Sequence, residues 1–186
     1  IYPSTDASYL FANLGTNASS FEKKGIEYLY TKNAVNMESM FENCGYKSME
    51  TLNLNASFDT SNVTNMARMF MNCGHDEMET FDLGTRFNTT NVTTMESMFE
   101  GFGHNQLEQL SLANAVFTTT KVSDMDRMFY GCGEQALKTL TLNKAFVKIE
   151  PGTDDFVTNC GKENNAVIYA AEAIYNDEHH FKLNSG

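Results

Sequence analysis

The sequence repeats one phrase at a nearly constant interval, and this period constrains the fold more than any other feature. The phrases read "MESMFENCG", "MARMFMNCG", "MESMFEGFG" and "MDRMFYGCG". Their first methionines stand 29, 29 and 30 residues apart and begin what we number units 1 to 4: Met37, Met66, Met95 and Met125. The extra residue of unit 3 falls between Leu112 and Phe117, which a loop tolerates and a packed element does not.

Each unit combines the pattern of a short helix with the pattern of a short strand. In unit 2, Met66, Met69 and Phe70 lie at i, i+3 and i+4, which is one face of a helix. In unit 1, Leu52 and Leu54 alternate with polar residues, as in a strand with one buried face. A phenylalanine then follows in every unit: Phe58, Phe87, Phe117 and Phe146.

One strand and one short helix cannot enclose a core, so successive units must stack. Their strands then pair in parallel, about 4.8 Å apart, with the helices on the opposite side. The sequence therefore predicts an α/β fold, a right-handed leucine-rich-repeat solenoid of about four full repeats of 29–30 residues plus caps. One structural domain contains an N-terminal cap (1–33), four repeats (34–147) and a degenerate fifth repeat with a C-terminal cap (148–186). In the last part Ile168 maps onto Leu140, and a closing helix or strand is expected at 171–183.

The polar run "DTSN" (59–62) lies between the phenylalanine of one unit and the next predicted helix. Short polar side chains bond to nearby backbone groups in such turns and cap helix starts. The valines that follow are expected to anchor each turn from inside: Val63, Val92 and Val122. This reading makes the repeated string part of the scaffold.

Four cysteines share one repeat position, at which unit 3 has Phe102: Cys44, Cys73, Cys132 and Cys160. The C-x-x-C spacing of zinc sites is absent. Equivalent Cα atoms about 5 Å apart would permit a disulfide, but parallel side chains and the phenylalanine favour buried, unpaired cysteines. Disulfides stay an alternative in an extracellular setting.

Charge and motif content argue against several functions. The net charge is −11, with 24 acidic and 13 basic residues, so we do not expect nucleic acid as a partner. No apolar run reaches the roughly 20 residues that span a membrane. No arrangement of nucleophile and base stands out, and His75 with His104 near Asp76 would make a poor metal site. We expect a monomer without catalytic residues, cofactor or metal, its loop histidines exposed; self-association through the end units is the alternative.

The outward strand positions form a small polar surface and are the candidate partner-binding residues: Thr51, Asn53, Thr80, Asp82, Gln109, Ser111, Thr139 and Thr141. Repeat proteins commonly bind through such a face. Binding hot spots favour Trp, Tyr and Arg, which this surface lacks, so a merely solvated sheet is the alternative. The variable loops 46–47, 75–77 and 104–106 are rival contact points.

The phrase "LxLxxxFDTSNVTNMxxMFxxC", carried by Leu52 to Cys73 and its copies over about 34–147, resembles the BspA-type leucine-rich-repeat surface proteins of bacteria. The connection "CGYKSMETL" is longer than the link expected there. The resemblance implies a secreted or cell-surface bacterial protein, and some members of that family are adhesins for host extracellular-matrix proteins. No catalytic residues are associated with the repeat, so the resemblance implies none here. We therefore expect an adhesin-like recognition module for a host or matrix protein, with a rigid spacer in a larger surface protein as the alternative.

Overall fold

The computed structural model describes residues 3–20, 28–146 and 155–169. Its regular elements are five three-residue strands: β1 (Thr51–Asn53), β2 (Thr80–Asp82), β3 (Gln109–Ser111), β4 (Thr139–Thr141) and β5 (Val167–Tyr169). They form two parallel sheets, β1-β2 and β3-β4-β5. The described residues contain no α-helix, and a 3₁₀ turn occupies Lys162–Asn164. No helix in this part of the chain is long and apolar enough to cross a membrane.

The predicted helices, and with them the leucine-rich-repeat solenoid with helices opposite the strands, are wrong. The segment after Met66 runs as consecutive turns. Arg68 and Asn72 have φ of +56° and +54°, and a right-handed helix cannot continue through left-handed residues. Positive φ recurs at the equivalent positions of the other units: Ser39, Asn43, Ser97, Gly101, Arg127 and Gly131.

Backbone hydrogen bonds in these turns alternate between the next unit and the same unit. Arg68 N–H donates to the Glu96 carbonyl (2.8 Å), and Phe70 N–H donates to the Met98 carbonyl (3.0 Å). Between them, Met69 N–H donates to the Met66 carbonyl three residues back (3.2 Å). Every second peptide therefore joins two units, which a helix with only internal bonds would not allow.

The turns bury the same side chains that the helix pattern selected. Each methionine on the face that the helix pattern predicts is 0% exposed: Met37, Met40, Met66, Met69, Met95, Met98, Met125 and Met128. The valines Val63, Val92 and Val122 are buried as predicted. Spacing at i, i+3 and i+4 thus identified the core without identifying the backbone that presents it.

Parallel pairing of the strands is confirmed, although in two sheets instead of one continuous face. Leu52 lies opposite Phe81, and Leu140 lies between Leu110 and Ile168. Equivalent phenylalanines stack beneath the turns: the ring centroids of Phe41–Phe70, Phe70–Phe99 and Phe99–Phe129 are 5.5, 5.4 and 5.5 Å apart. Stacked pairs of this kind add about 0.5–1.5 kcal/mol each beyond area burial.

Buried threonines explain why the polar string is repeated. Thr60 Oγ1 donates to the Asn88 carbonyl (2.9 Å) and accepts from Asn88 N–H (2.7 Å). Thr89 repeats both bonds with Thr118, at 2.7 and 2.8 Å. Each threonine satisfies backbone groups of the following unit, so the string joins neighbouring units as well as shaping its own turn.

The cysteines are buried and have free thiols. Burial raises the pKa of Cys44 to about 12. A hydrogen bond with Cys160, together with burial, raises the pKa of the Cys132 thiol well above its ordinary value. Because thiolate is the reactive form, these cysteines behave as small apolar core residues.

Both ends extend the pairing of the units. Tyr9 N–H and Phe11 N–H donate to the carbonyls of Glu38 and Met40, at 3.0 and 2.9 Å. At the other end, Gly161 N–H donates to the Cys132 carbonyl (3.1 Å). The closing segment predicted at 171–183 lies outside the described residues.

Candidate functional site

The face formed by the strands is interrupted between β2 and β3, which belong to different sheets. Within the first sheet, Leu54 N–H donates to the Asp82 carbonyl (2.8 Å). The equivalent bond between units 2 and 3 would join Leu83 N–H to the Ser111 carbonyl, and it is not among the backbone bonds of the described residues. The facing edges of β2 and β3 therefore carry unpaired peptide groups.

The interruption is local. On one side of it, Asn105 N–H donates to the His75 carbonyl (3.0 Å). On the other side, Thr89 N–H donates to the Val116 carbonyl (3.0 Å). Units 2 and 3 are thus held together at both ends of an opening.

Two phenylalanines account for the opening. Phe81 occupies the position of Leu52 and Leu110 in the neighbouring units, and Phe102 occupies the cysteine position. Their ring centroids lie 4.7 Å apart at an interplanar angle of 64°. Added volume in a packed core forces the backbone to shift, so we attribute the separation of the strands to this aromatic pair.

The opening forms a groove of about 580 Å³ on the strand face. Four of its lining residues lie on the strands: Thr80, the half-buried Phe81, Gln109 and Ser111. The others are three polar residues that precede the strands: Glu79, Gln106 and Glu108. Small-molecule sites are mostly apolar, whereas this groove has one aromatic ring among six polar or charged residues, so it suits a polar group of a partner better than an apolar ligand.

The structure brings together only part of the predicted site. Thr80, Gln109 and Ser111 line the groove. The Asp82 carboxylate instead accepts a hydrogen bond from Gly84 N–H (2.9 Å). The remaining predicted residues lie on strands outside the groove: Thr51, Asn53, Thr139 and Thr141.

Of the remaining groove residues, sequence reasoning named only Gln106, within the rival loop 104–106, and missed Glu79, Phe81 and Glu108. The available signal was the departure of two adjacent units from the common pattern, with Phe81 in a leucine position and Phe102 in a cysteine position. Each departure is unremarkable alone. We attribute the opening of the surface to the contact between the two rings.

The groove carries negative charge. Glu50, Glu79 and Glu108 occupy one position in units 1 to 3, and Lys138 occupies it in unit 4. Lys138 Nζ lies 2.6 Å from Glu108 Oε1, with both side chains more than half exposed, so this pair adds little stability. Glu79 has no ion pair with another described residue, and neither Lys nor Arg lines the groove.

A second feature lies on the loops that precede the strands. The rings of Tyr46, His75 and His104 stack with centroid separations of 4.3 and 4.4 Å. His75 Nδ1 is 2.7 Å from Asp76 Oδ1, and His104 Nε2 is 3.4 Å from Glu134 Oε2. The prediction of exposed histidines is wrong, because both are half-buried. Among the described residues no group of three or more His, Cys, Asp or Glu is placed to hold a metal ion.

The stacked histidines should make the protein less stable in mild acid. Burial lowers the pKa of His75, and this outweighs the opposing effect of the hydrogen bond that the His75 ring donates to the Asp76 carboxylate. The unfolded chain, with an ordinary histidine pKa of about 6.5, then binds this proton more readily than the folded chain. Stability is therefore complete above about pH 6.5 and falls as the pH drops towards the folded pKa.

Urea unfolding midpoints at pH 7.5 and 5.5 test this expectation. His75→Phe keeps a ring in the stack and removes the titrating group, so the variant should lose less stability between the two pH values than the parent chain. An equal or larger loss in the variant would show that His75 does not govern the dependence.

Comparison with known proteins links the chain to one family. A family model described as "Mycoplasma protein of unknown function, DUF285" matches residues 5–79 and 46–148. These overlapping matches together cover more than half of the chain. No curated protein and no solved structure matches it.

Proposed function

This chain belongs to the DUF285 family, and on that premise we propose that it is a non-catalytic recognition module that binds another protein through the strand face. The observation that carries the proposal is the groove between β2 and β3, where Thr80, Gln109 and Ser111 meet Phe81. The BspA-type resemblance of the repeated phrase supports a place outside a bacterial cell. It also supports a host or extracellular-matrix protein as the partner.

The chemistry of the groove supports binding over catalysis. Its lining supplies hydroxyl, amide and carboxylate groups around one aromatic ring, without histidine or cysteine. Catalysis by a serine or threonine nucleophile would need an adjacent base that is itself oriented by a third group. Burial raises the pKa of the Cys44 and Cys73 thiols, and a hydrogen bond with Cys160 together with burial raises that of Cys132, so these three are poor nucleophiles.

The second candidate function is that of a rigid spacer in a larger surface protein. The favouring observation is the density of bonds between units, such as Arg68 N–H to Glu96 O and Phe70 N–H to Met98 O. Bonds of this kind resist bending of one unit against the next. A spacer would need no ligand in the groove.

Binding to extracellular matrix deposited by cultured fibroblasts separates the two functions. Thr80→Trp with Gln109→Trp fills the groove and should weaken binding at least tenfold. The matched control places tryptophan at the exposed Thr64 and Thr93, away from the groove, and should bind like the parent chain. Undiminished binding by the filled variant would refute recognition at the groove. The spacer is favoured if the chain does not bind matrix and if deletion of one unit shortens the distance to which the surface-displayed protein extends from the cell.

A further inference from the structure

We propose that the groove accepts a single cationic side chain, preferably arginine, from an extended segment of the partner protein. This inference rests on the proposed function and specifies the ligand chemistry of the same site. Three features of the groove carry it: its width, its charge and its unpaired carbonyl groups.

The width admits a side chain and not a whole strand. A strand inserted between β2 and β3 would hold them about 9.6 Å apart, twice the usual spacing of about 4.8 Å. The Cα atoms of β2 and β3 approach within 8 Å. A partner backbone must therefore stay at the mouth of the groove while one of its side chains enters.

The charge selects a cation, and the chain contains an example of the pairing. Lys138 of unit 4 bonds to Glu108 of unit 3 through Nζ and Oε1 at 2.6 Å. In unit 3 the position of Lys138 is occupied by Glu108, and in unit 2 it is occupied by Glu79. The lining holds both carboxylates and neither Lys nor Arg, and Glu79 has no ion pair with another described residue, so a cation from a partner would supply to Glu79 what Lys138 supplies to Glu108.

Unpaired carbonyl oxygens and an aromatic ring favour arginine over lysine. The Glu50 carbonyl accepts a hydrogen bond from the next unit, and the Asp82 carbonyl accepts one from the preceding unit. The Glu79 carbonyl is equivalent to that of Glu50, and the Ser111 carbonyl is equivalent to that of Asp82. Neither accepts a hydrogen bond from the described backbone. Guanidinium has five donors in a planar fork, whereas ammonium has three on a point charge. Guanidinium also binds over aromatic rings, as Arg127 does over Tyr130 at 3.9 Å.

Peptide titration tests the proposal. The probes are three capped pentapeptides with Gly-Ser flanks and a central arginine, lysine or citrulline, the last an uncharged analogue of arginine. Added to the isotope-labelled full chain, the arginine peptide should shift the amide resonances of Phe81, Gln109 and Ser111. Its affinity should exceed that of citrulline at least tenfold, with lysine between them, and should fall with added salt.

Two variants and a control locate the interaction. Glu79→Gln should weaken arginine binding at least fivefold, whereas Glu163→Gln, at an exposed position outside the groove, should leave it unchanged. Phe81→Leu with Phe102→Cys installs residues that other units already carry, and should keep the fold, join the two sheets and abolish peptide binding.

The outcomes distinguish this inference from the function on which it rests. Equal binding of arginine and citrulline peptides, or shifts spread over the acidic surface, would overturn it. Matrix binding that is lost on filling the groove with tryptophan but unaffected by Glu79→Gln would overturn the cation and retain the groove. Matrix binding that survives the tryptophan variant would overturn both.

Discussion

Replacing Met69 by aspartate should unfold the chain. Met69 is 0% exposed and belongs to the core shared by successive units. A carboxylate there would lose its hydration without gaining a partner, at a cost of about 4 kcal/mol or more, and loss of the buried methionine side chain adds about 2–5 kcal/mol. Native domains are stable by only about 5–15 kcal/mol. Circular dichroism and thermal unfolding of Met69→Asp should therefore show loss of the cooperative transition.

Two controls separate burial of charge from substitution itself. Met69→Leu keeps an apolar side chain of similar volume and should cost less than about 1.5 kcal/mol. Ala56→Asp adds the same charge at an exposed position of the preceding unit and should change stability by less than about 0.5 kcal/mol. A cooperative, near-parental melting curve for Met69→Asp would refute the buried position of Met69.

Replacing Gly84 by alanine should be the second most damaging of these changes. Gly84 has φ of +73°, and a Cβ added there would lie 1.7 Å from the Leu54 carbonyl oxygen. Left-handed backbone costs a residue with Cβ about 1–2 kcal/mol, and the clash is with backbone, which cannot turn aside. We expect a loss of more than about 2 kcal/mol by urea unfolding.

The matched control for Gly84 is the same repeat position of unit 3. Ala113 stands there, exposed and not among the residues with positive φ. Ala113→Gly should cost no more than about 1 kcal/mol, mainly through greater freedom of the unfolded chain. Equal effects of the two substitutions would show that the close approach of Gly84 to Leu54 does not constrain this position.

The core could be predicted from the sequence because burial follows side-chain chemistry and the period. The backbone of the turns could not, since i, i+3 and i+4 spacing suits a helix and this chain of turns equally well. Arg68 has positive φ without being a residue that prefers it. A better signal for left-handed backbone was the choice of residues at one repeat position, which holds Asn72, Gly101 and Gly131. Asparagine and glycine tolerate left-handed backbone.

For the candidate site, too, the sequence predicted part of the arrangement and not the rest. Outward residues such as Thr80, Gln109 and Ser111 follow from strand alternation. The groove that three of the eight predicted residues line depends on how Phe81 meets Phe102 across two units. The effect on the backbone depends on two residues that are distant in sequence and in contact in the fold, so it cannot be predicted from either position alone.

The alternating bonds of the turns also determine how this architecture can change in length. Arg68 and Phe70 bond to the unit ahead through Glu96 and Met98, so a unit's peptide groups are satisfied largely by its neighbour. Duplication or loss of a whole unit recreates every such bond, whereas a shift of one residue would misalign them all unless a loop absorbs it. We therefore expect this architecture to tolerate a change in the number of units better than a change in the length of one unit.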